Sequence, residues 1–151
     1  MPENIIADTS CLVLLEKIDK LDILRKLYGN ITITPVIANE FGSELPNWME
    51  VRKTEDQKYQ HLLETNIDPG EASGIALAVE IGGLLILDDK KARTLAQELK
   101  LDVTGTLGVL VGATRNNHIS SFDQVLKRIK QTNFHLSEDL EQKLLTLVNE
   151  S

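Results

Sequence analysis

Cysteine occurs once in these 151 residues, which excludes an internal disulfide and suits a reducing compartment. Cys11 lies in the apolar stretch SCLVLLE with no histidine near it, so it reads as a small buried hydrophobe and not a nucleophile. Histidine is scarce too. His61, His118 and His135 are scattered, with neither HExxH nor CxxC spacing, and support no zinc site. Aromatic residues make up 4%, too few for base stacking to drive nucleic-acid recognition. No apolar run approaches the roughly 18–20 residues that span a bilayer. The opening MPENIIADTSCLVLLEK reaches acid early and has no basic lead-in, so no signal peptide is expected and the location expected is cytoplasmic. Positive charge is in deficit: 16 Lys and Arg stand against 23 Asp and Glu, a net of −7. That excludes a nonspecific nucleic-acid binder acting through bulk electrostatics, and leaves room for a local acidic site that takes cations or for a basic partner.

What is present is ordinary globular material, 42% hydrophobic and 26% charged, long enough for one domain with a real core. Short aliphatic runs alternate with helical patterns. NIIAD (4–8) reads as a buried strand, followed by a helix over TSCLVLLEKI with Thr9 or Ser10 as its cap. A second helix fits DKLDILRKLYG, and NITIT (30–34) is a β-branched strand. Thr34 and Pro35 then start another helix. WMEVRKT suggests an edge strand and DQKYQHLLET a helix. Pro69 to Ile81 reads as a helix ended by Gly82-Gly83, LLIL as the next strand and KKARTLAQELK as the helix after it. DVTG is a brief strand and TLGVLVGATRNN a helix. SFDQVLKRIKQ has Ser121 and Gln124 in capping-box spacing, and SEDLEQKLLTLVNE is amphipathic. Strands separated by helices of this length imply βαβ units. The expectation is a three-layer α/β/α domain with a mainly parallel sheet of four or five strands. Residues 1–116 would form the core and 117–151 a helical extension of the same domain.

The acids fall where such folds place ligands, at the carboxyl ends of strands. Asp8 ends the first strand, and Asp88-Asp89 end LLIL. Adjacent residues of an extended strand point to opposite faces, so one of the pair faces the crevice and the other caps the helix from Lys90; sequence alone leaves the choice open. Glu40 leans toward the apolar face set by Val36 and Ile37, and Glu71 shares a stripe with Gly74, Ile75 and Ala78. Each has a plainer reading. Glu71 is spaced to pair with Asp68 at a helix start, Glu40 suits a solvated helix face, and strand-end aspartates often serve turns. Taken together, clustered carboxylates without histidine or cysteine suit Mg²⁺ or Mn²⁺. An acidic metal site suits phosphodiester hydrolysis without a nucleophilic side chain.

The segments IIADTSCLVLL, ITPVIANEF, GEASGIALA and LLILDD resemble, in order and spacing, the PIN-domain family, which includes VapC-type toxin ribonucleases. The helices beyond residue 117 resemble the longer VapC-like subset. This resemblance implies a Mg²⁺- or Mn²⁺-dependent endoribonuclease, the toxin of a toxin–antitoxin pair, with RNA as substrate, a small antitoxin as partner and a homodimeric state. It implies Asp8, Glu40, Glu71 and Asp89 as catalytic metal ligands, its register favouring Asp89 over Asp88. Thr9, Ser10 and Thr106 fall at supporting positions, Thr106 in TGTLG either as a support behind a metal ligand or as a phosphate contact. Glu71 stands where aspartate is commoner in the family. Lys90, Lys91 and Arg93 start a helix beside these acids, where they suit RNA phosphates, or simply a solvated face. A non-catalytic PIN-like binding module is the alternative. A receiver-type phosphoacceptor is disfavoured because only one acid follows IIA and VTGTLG offers no lysine. A haloacid-dehalogenase-type phosphotransferase is disfavoured because Ser10 stands where its second aspartate is needed.

Overall fold

The structure, a computed structural model, describes residues 4–149; the outer residues of the expected 1–116 and 117–151 segments lie outside that range. Five strands form one all-parallel sheet: β1 (Ile5–Ala7), β2 (Ile31–Ile33), β3 (Met49–Val51), β4 (Leu84–Ile86) and β5 (Asp102–Thr104). Their spatial order is β3-β2-β1-β4-β5. The chain winds outward from β1 to β3, then returns across the sheet to place β4 on the other side of β1. The switch point therefore lies between β1 and β4, where open α/β sheets form their ligand crevices.

Nine helices are seen among the described residues: α1 (Thr9–Lys17), α2 (Ile23–Tyr28), α3 (Pro35–Phe41), α4 (Gln57–Leu63), α5 (Pro69–Ile81), α6 (Lys90–Glu98), α7 (Thr106–Arg115), α8 (Phe122–Lys130) and α9 (Glu138–Asn149). Strand pleating divides them into two layers. Ile5, Ala7, Ile31, Ile33 and Ile86 face a core shared with α1, α2, α3, α7 and α8, onto which α9 packs. Ile6, Leu85 and Leu87 face a second core built with α4, α5 and α6. This is the expected three-layer α/β/α arrangement. Val125, Leu126, Ile129 and Leu144 join the first core, so the C-terminal helices are part of that layer.

Local chemistry explains most element starts. Thr34 caps α3, its Oγ1 accepting from Ile37 N–H at 3.2 Å, with Pro35 pre-set for the first helical position. Asp68 and Glu71 complete a capping box at α5. Ser121 supplies the hydroxyl half of its expected cap, accepting from Gln124 N–H. Two expectations differ. The second helix begins at Ile23 and not near Asp19, whose φ of 58° breaks the regular backbone. At α1 the cap position is Asp8, not Thr9 or Ser10, and its carboxylate makes no cap bond. The two hydroxyls are engaged elsewhere.

Candidate metal centre

Asp8 and Asp88 leave the sheet on either side of the switch point. Asp8 N–H donates to Ile86 O at 3.0 Å and Leu87 N–H to Thr104 O at 2.8 Å, so strand pairing runs right up to both acids. Pleat alternation then fixes where each carboxylate goes. Asp8 continues the side of Ile6, toward the α4–α6 layer. Asp88 continues the side of Ile86, toward α1 and α7, and Asp89 continues the side of Leu85 and Leu87.

The contacts agree. Thr106 holds Asp88 twice, its backbone N–H donating to Oδ1 at 2.7 Å and its Oγ1 to Oδ2 at 2.6 Å. Thr106 is itself fully buried. Ser10 Oγ stands 3.3 Å from Asp88 Oδ2 and 3.4 Å from Asp8 Oδ2, placing one hydroxyl between the two carboxylates. Asp89 instead caps α6, accepting from Ala92 N–H at 2.9 Å. The family register favours Asp89 as the ligand; in the structure Asp89 is the residue that caps α6, and Asp88 is the one held beside Ser10 and Thr106. Thr106 is found gripping a carboxylate, which leaves its hydroxyl hydrogen committed.

Glu40 reaches the same edge from α3. Thr9 Oγ1 donates to its Oε1 at 2.6 Å, and the carboxylate rests directly on Gly70, where any added Cβ would collide with it. The base of α3 is tied to α5 through hydroxyls: Ser73 donates to Gly70 O at 2.7 Å, so the 2.6 Å contact between Thr34 and Ser73 is donated by Thr34. Glu71 takes its plainer role, its Oε1 accepting from Asp68 N–H at 3.2 Å.

Electrostatics single out Asp8. It is 4% exposed, and its Oδ1 is buried without any hydrogen-bond partner, the one such side-chain atom among the described residues. Burial is the main reason its pKa is pushed up to about 7; the Thr9 N–H opposes the shift, while Asp68, Glu40 and Asp88 add to it. Glu71 is also raised to about 7, first by burial and then by Asp68, Asp89 and Asp8. Asp68 thus acts on both acids. Sequence reasoning treated it only as a helix cap; its place at the start of the α5 turn was the available signal.

Lys90 and Lys91 are exposed on α6. Arg93 turns the other way, toward the Gly105 backbone: its Nη1 and Asp88 Oδ1 each lie 3.0 Å from where a Gly105 Cβ would stand.

A divalent cation fits this edge in donor chemistry, since every group is a hard oxygen and Asp8 Oδ1 is a buried acceptor lacking a donor. The expected closed set is not formed: among the described residues no three His, Cys, Asp or Glu side chains are gathered as metal ligands. Asp8 and Asp88 share a hydroxyl, Asp88 is also held at both oxygens by Thr106, and Glu40, Glu71 and Asp89 each hold other partners.

The fold is thus an all-parallel α/β sheet with carboxylates at its switch point. Residues 4–150 match the family model for the PIN domain, and the chain belongs to that family, whose members are generally nucleases and typically use divalent metals. No curated protein and no solved structure matches the chain. Among the described residues no helix is long and apolar enough to cross a membrane.

Proposed function

We propose that this chain is a Mg²⁺- or Mn²⁺-dependent endoribonuclease, with Asp8 and Asp88 as the central metal ligands and Glu40 completing the acidic edge. The observation that carries this reading is the unpartnered, buried Asp8 Oδ1 at the sheet's switch point. A bound divalent cation would there activate water and neutralise charge on the scissile phosphate. The chain's own groups have separate tasks. Thr106 holds Asp88 in one orientation through two contacts that both donate to its carboxylate. Ser10 keeps Asp8 and Asp88 in register, and Thr9 holds Glu40. Burial keeps Asp8 poised near neutrality, where it accepts a proton or a cation. Lys90 and Lys91 offer exposed charge for RNA phosphates.

The finer role, toxin of a toxin–antitoxin pair acting as a homodimer and restrained by a small antitoxin, rests on the motif resemblance to VapC-type ribonucleases. The incomplete gathering of the carboxylates favours the second reading, a non-catalytic PIN-like module that acts through partners. RNA cleavage by the purified chain separates them. The ribonuclease reading expects cleavage with Mg²⁺ or Mn²⁺, none in excess EDTA, and none from Asp8→Asn while its circular dichroism stays native. Undiminished cleavage in EDTA overturns the metal, and a folded chain inert toward RNA across both metals favours the binding module.

A further inference from the structure

Beside the acidic edge runs a groove of about 680 Å³, between α6 and the segment joining α4 to α5. Its volume falls in the range of small-ligand sites. Asp89 lines it, so it is continuous with the Asp88-Asp89 turn. Its walls are of three kinds. Ile67, which is buried, and the half-buried Leu95 give an apolar surface. Lys90 and Lys91 stand exposed along it, and the ion pairs among the described residues use other side chains. Asn66, Thr94 and Glu98 supply exposed polar groups; Thr94 donates its hydroxyl hydrogen to Lys90 O at 3.0 Å, so toward a ligand it acts as an acceptor.

Two cations, an apolar wall and mixed donors and acceptors in one groove match the parts of a nucleotide: phosphate, base face and base edge. We infer that this groove holds an unpaired RNA nucleotide next to the scissile phosphate, with Lys90 and Lys91 on its phosphates and Ile67 and Leu95 against its base. Asn66, as amide donor and acceptor, and Glu98, as acceptor, meet the base edge. No aromatic side chain lines the groove, so discrimination comes from that edge and not from stacking. The inference rests on the ribonuclease reading and goes beyond it by assigning substrate preference to Asn66 and Glu98.

The test reads binding, not cleavage. Fluorescein-labelled hexamers of adenylate, cytidylate and uridylate are titrated by anisotropy into the Asp8→Asn chain in EDTA across a salt series. The expected result is unequal affinity for the three RNAs. Lys90→Ala/Lys91→Ala weakens all three alike, lowering the log–log salt slope by about 1.4, at about 0.7 per phosphate contact, which is roughly 25-fold in affinity at 0.1 M salt. Asn66→Ala leaves the slope alone and narrows the spread between RNAs. These positions are exposed, and a melting curve confirms that each variant is folded. An unchanged slope in the lysine variant, an equal loss from Lys127→Ala/Arg128→Ala on α8, no binding at all, or a spread untouched by Asn66→Ala overturns the subsite. A wild-type chain that cleaves RNA while the lysine variant binds as before sinks the subsite and leaves the ribonuclease standing. Binding as expected without cleavage by wild type does the reverse.

Discussion

Asp8→Asn should stabilise the metal-free chain at neutral and alkaline pH. In the folded state the carboxyl is buried, its Oδ1 has no donor, and its pKa rises from 3.8 to about 7. The sign follows from linkage. The folded chain binds this proton more tightly than the unfolded chain, so Asp8 favours folding when protonated. That contribution is complete below pH 3.8 and is lost as pH climbs to about 7. A shift of roughly three units corresponds to about 4 kcal/mol at full strength, the ceiling for a group that titrates without local relaxation. For a domain of this size that is roughly 8–16 °C in melting temperature. Asparagine keeps the shape and removes the charge. Urea unfolding of both chains in EDTA, from pH 3.5 to pH 8, is the assay. The variant should gain over wild type as pH rises from about 4 to 7, and the two should converge below pH 4. Adding Mg²⁺ at pH 8 should stabilise wild type and leave the variant unmoved. Equal stabilities at pH 8, or a gap that persists at pH 3.5, refutes the claim that an uncompensated buried carboxylate sits there.

Gly70→Ala should leave the fold nearly as stable, since the three atoms nearest the added Cβ all belong to the movable end of Glu40, yet lower RNA cleavage by displacing that carboxylate from Thr9. Cleavage equal to wild type argues against a role for Glu40. Thr106→Val removes a buried hydroxyl that donates to the Asp88 carboxylate and should cost about 1.5–3 kcal/mol in urea unfolding, with weaker Mn²⁺ binding. Gly83→Ala places a Cβ against the Asn4 backbone at a φ of 101° and should destabilise by more than about 2 kcal/mol in thermal melts, far from the site.

The sheet was legible because its strands are short aliphatic runs that match buried parallel strands, and because Thr34-Pro35 and Asp68-Pro69 punctuate the helices clearly. The edge strand Met49–Val51 was harder: only Met49 is buried, so its sequence carries little periodic signal. At the site, strand ends pointed to Asp8 and to the Asp88-Asp89 pair. The pleat rule showed that those two differ in role, but the choice needed the face on which Ile86 lies, which is a tertiary fact. Register by resemblance favoured Asp89, and it is Asp88 that Thr106 grips, from 18 residues away. Hydroxyl partners were legible as types, Thr9, Ser10 and Thr106, but not in their pairings, because each contact spans two elements brought together only by the fold. Asp68 was read as a cap, which it is, and its field on Asp8 depends on α5 packing beside β1.

Calorimetric titration of Mn²⁺ into wild type, Asp8→Asn, Asp88→Asn and Asp89→Asn, all checked for fold, tests most directly whether the switch-point carboxylates hold the cation. One Mn²⁺ site should appear in wild type, vanish in the first two variants, and survive in the third, where asparagine still caps α6. Mn²⁺ bound equally by all four chains, or lost only with Asp89, contradicts the account.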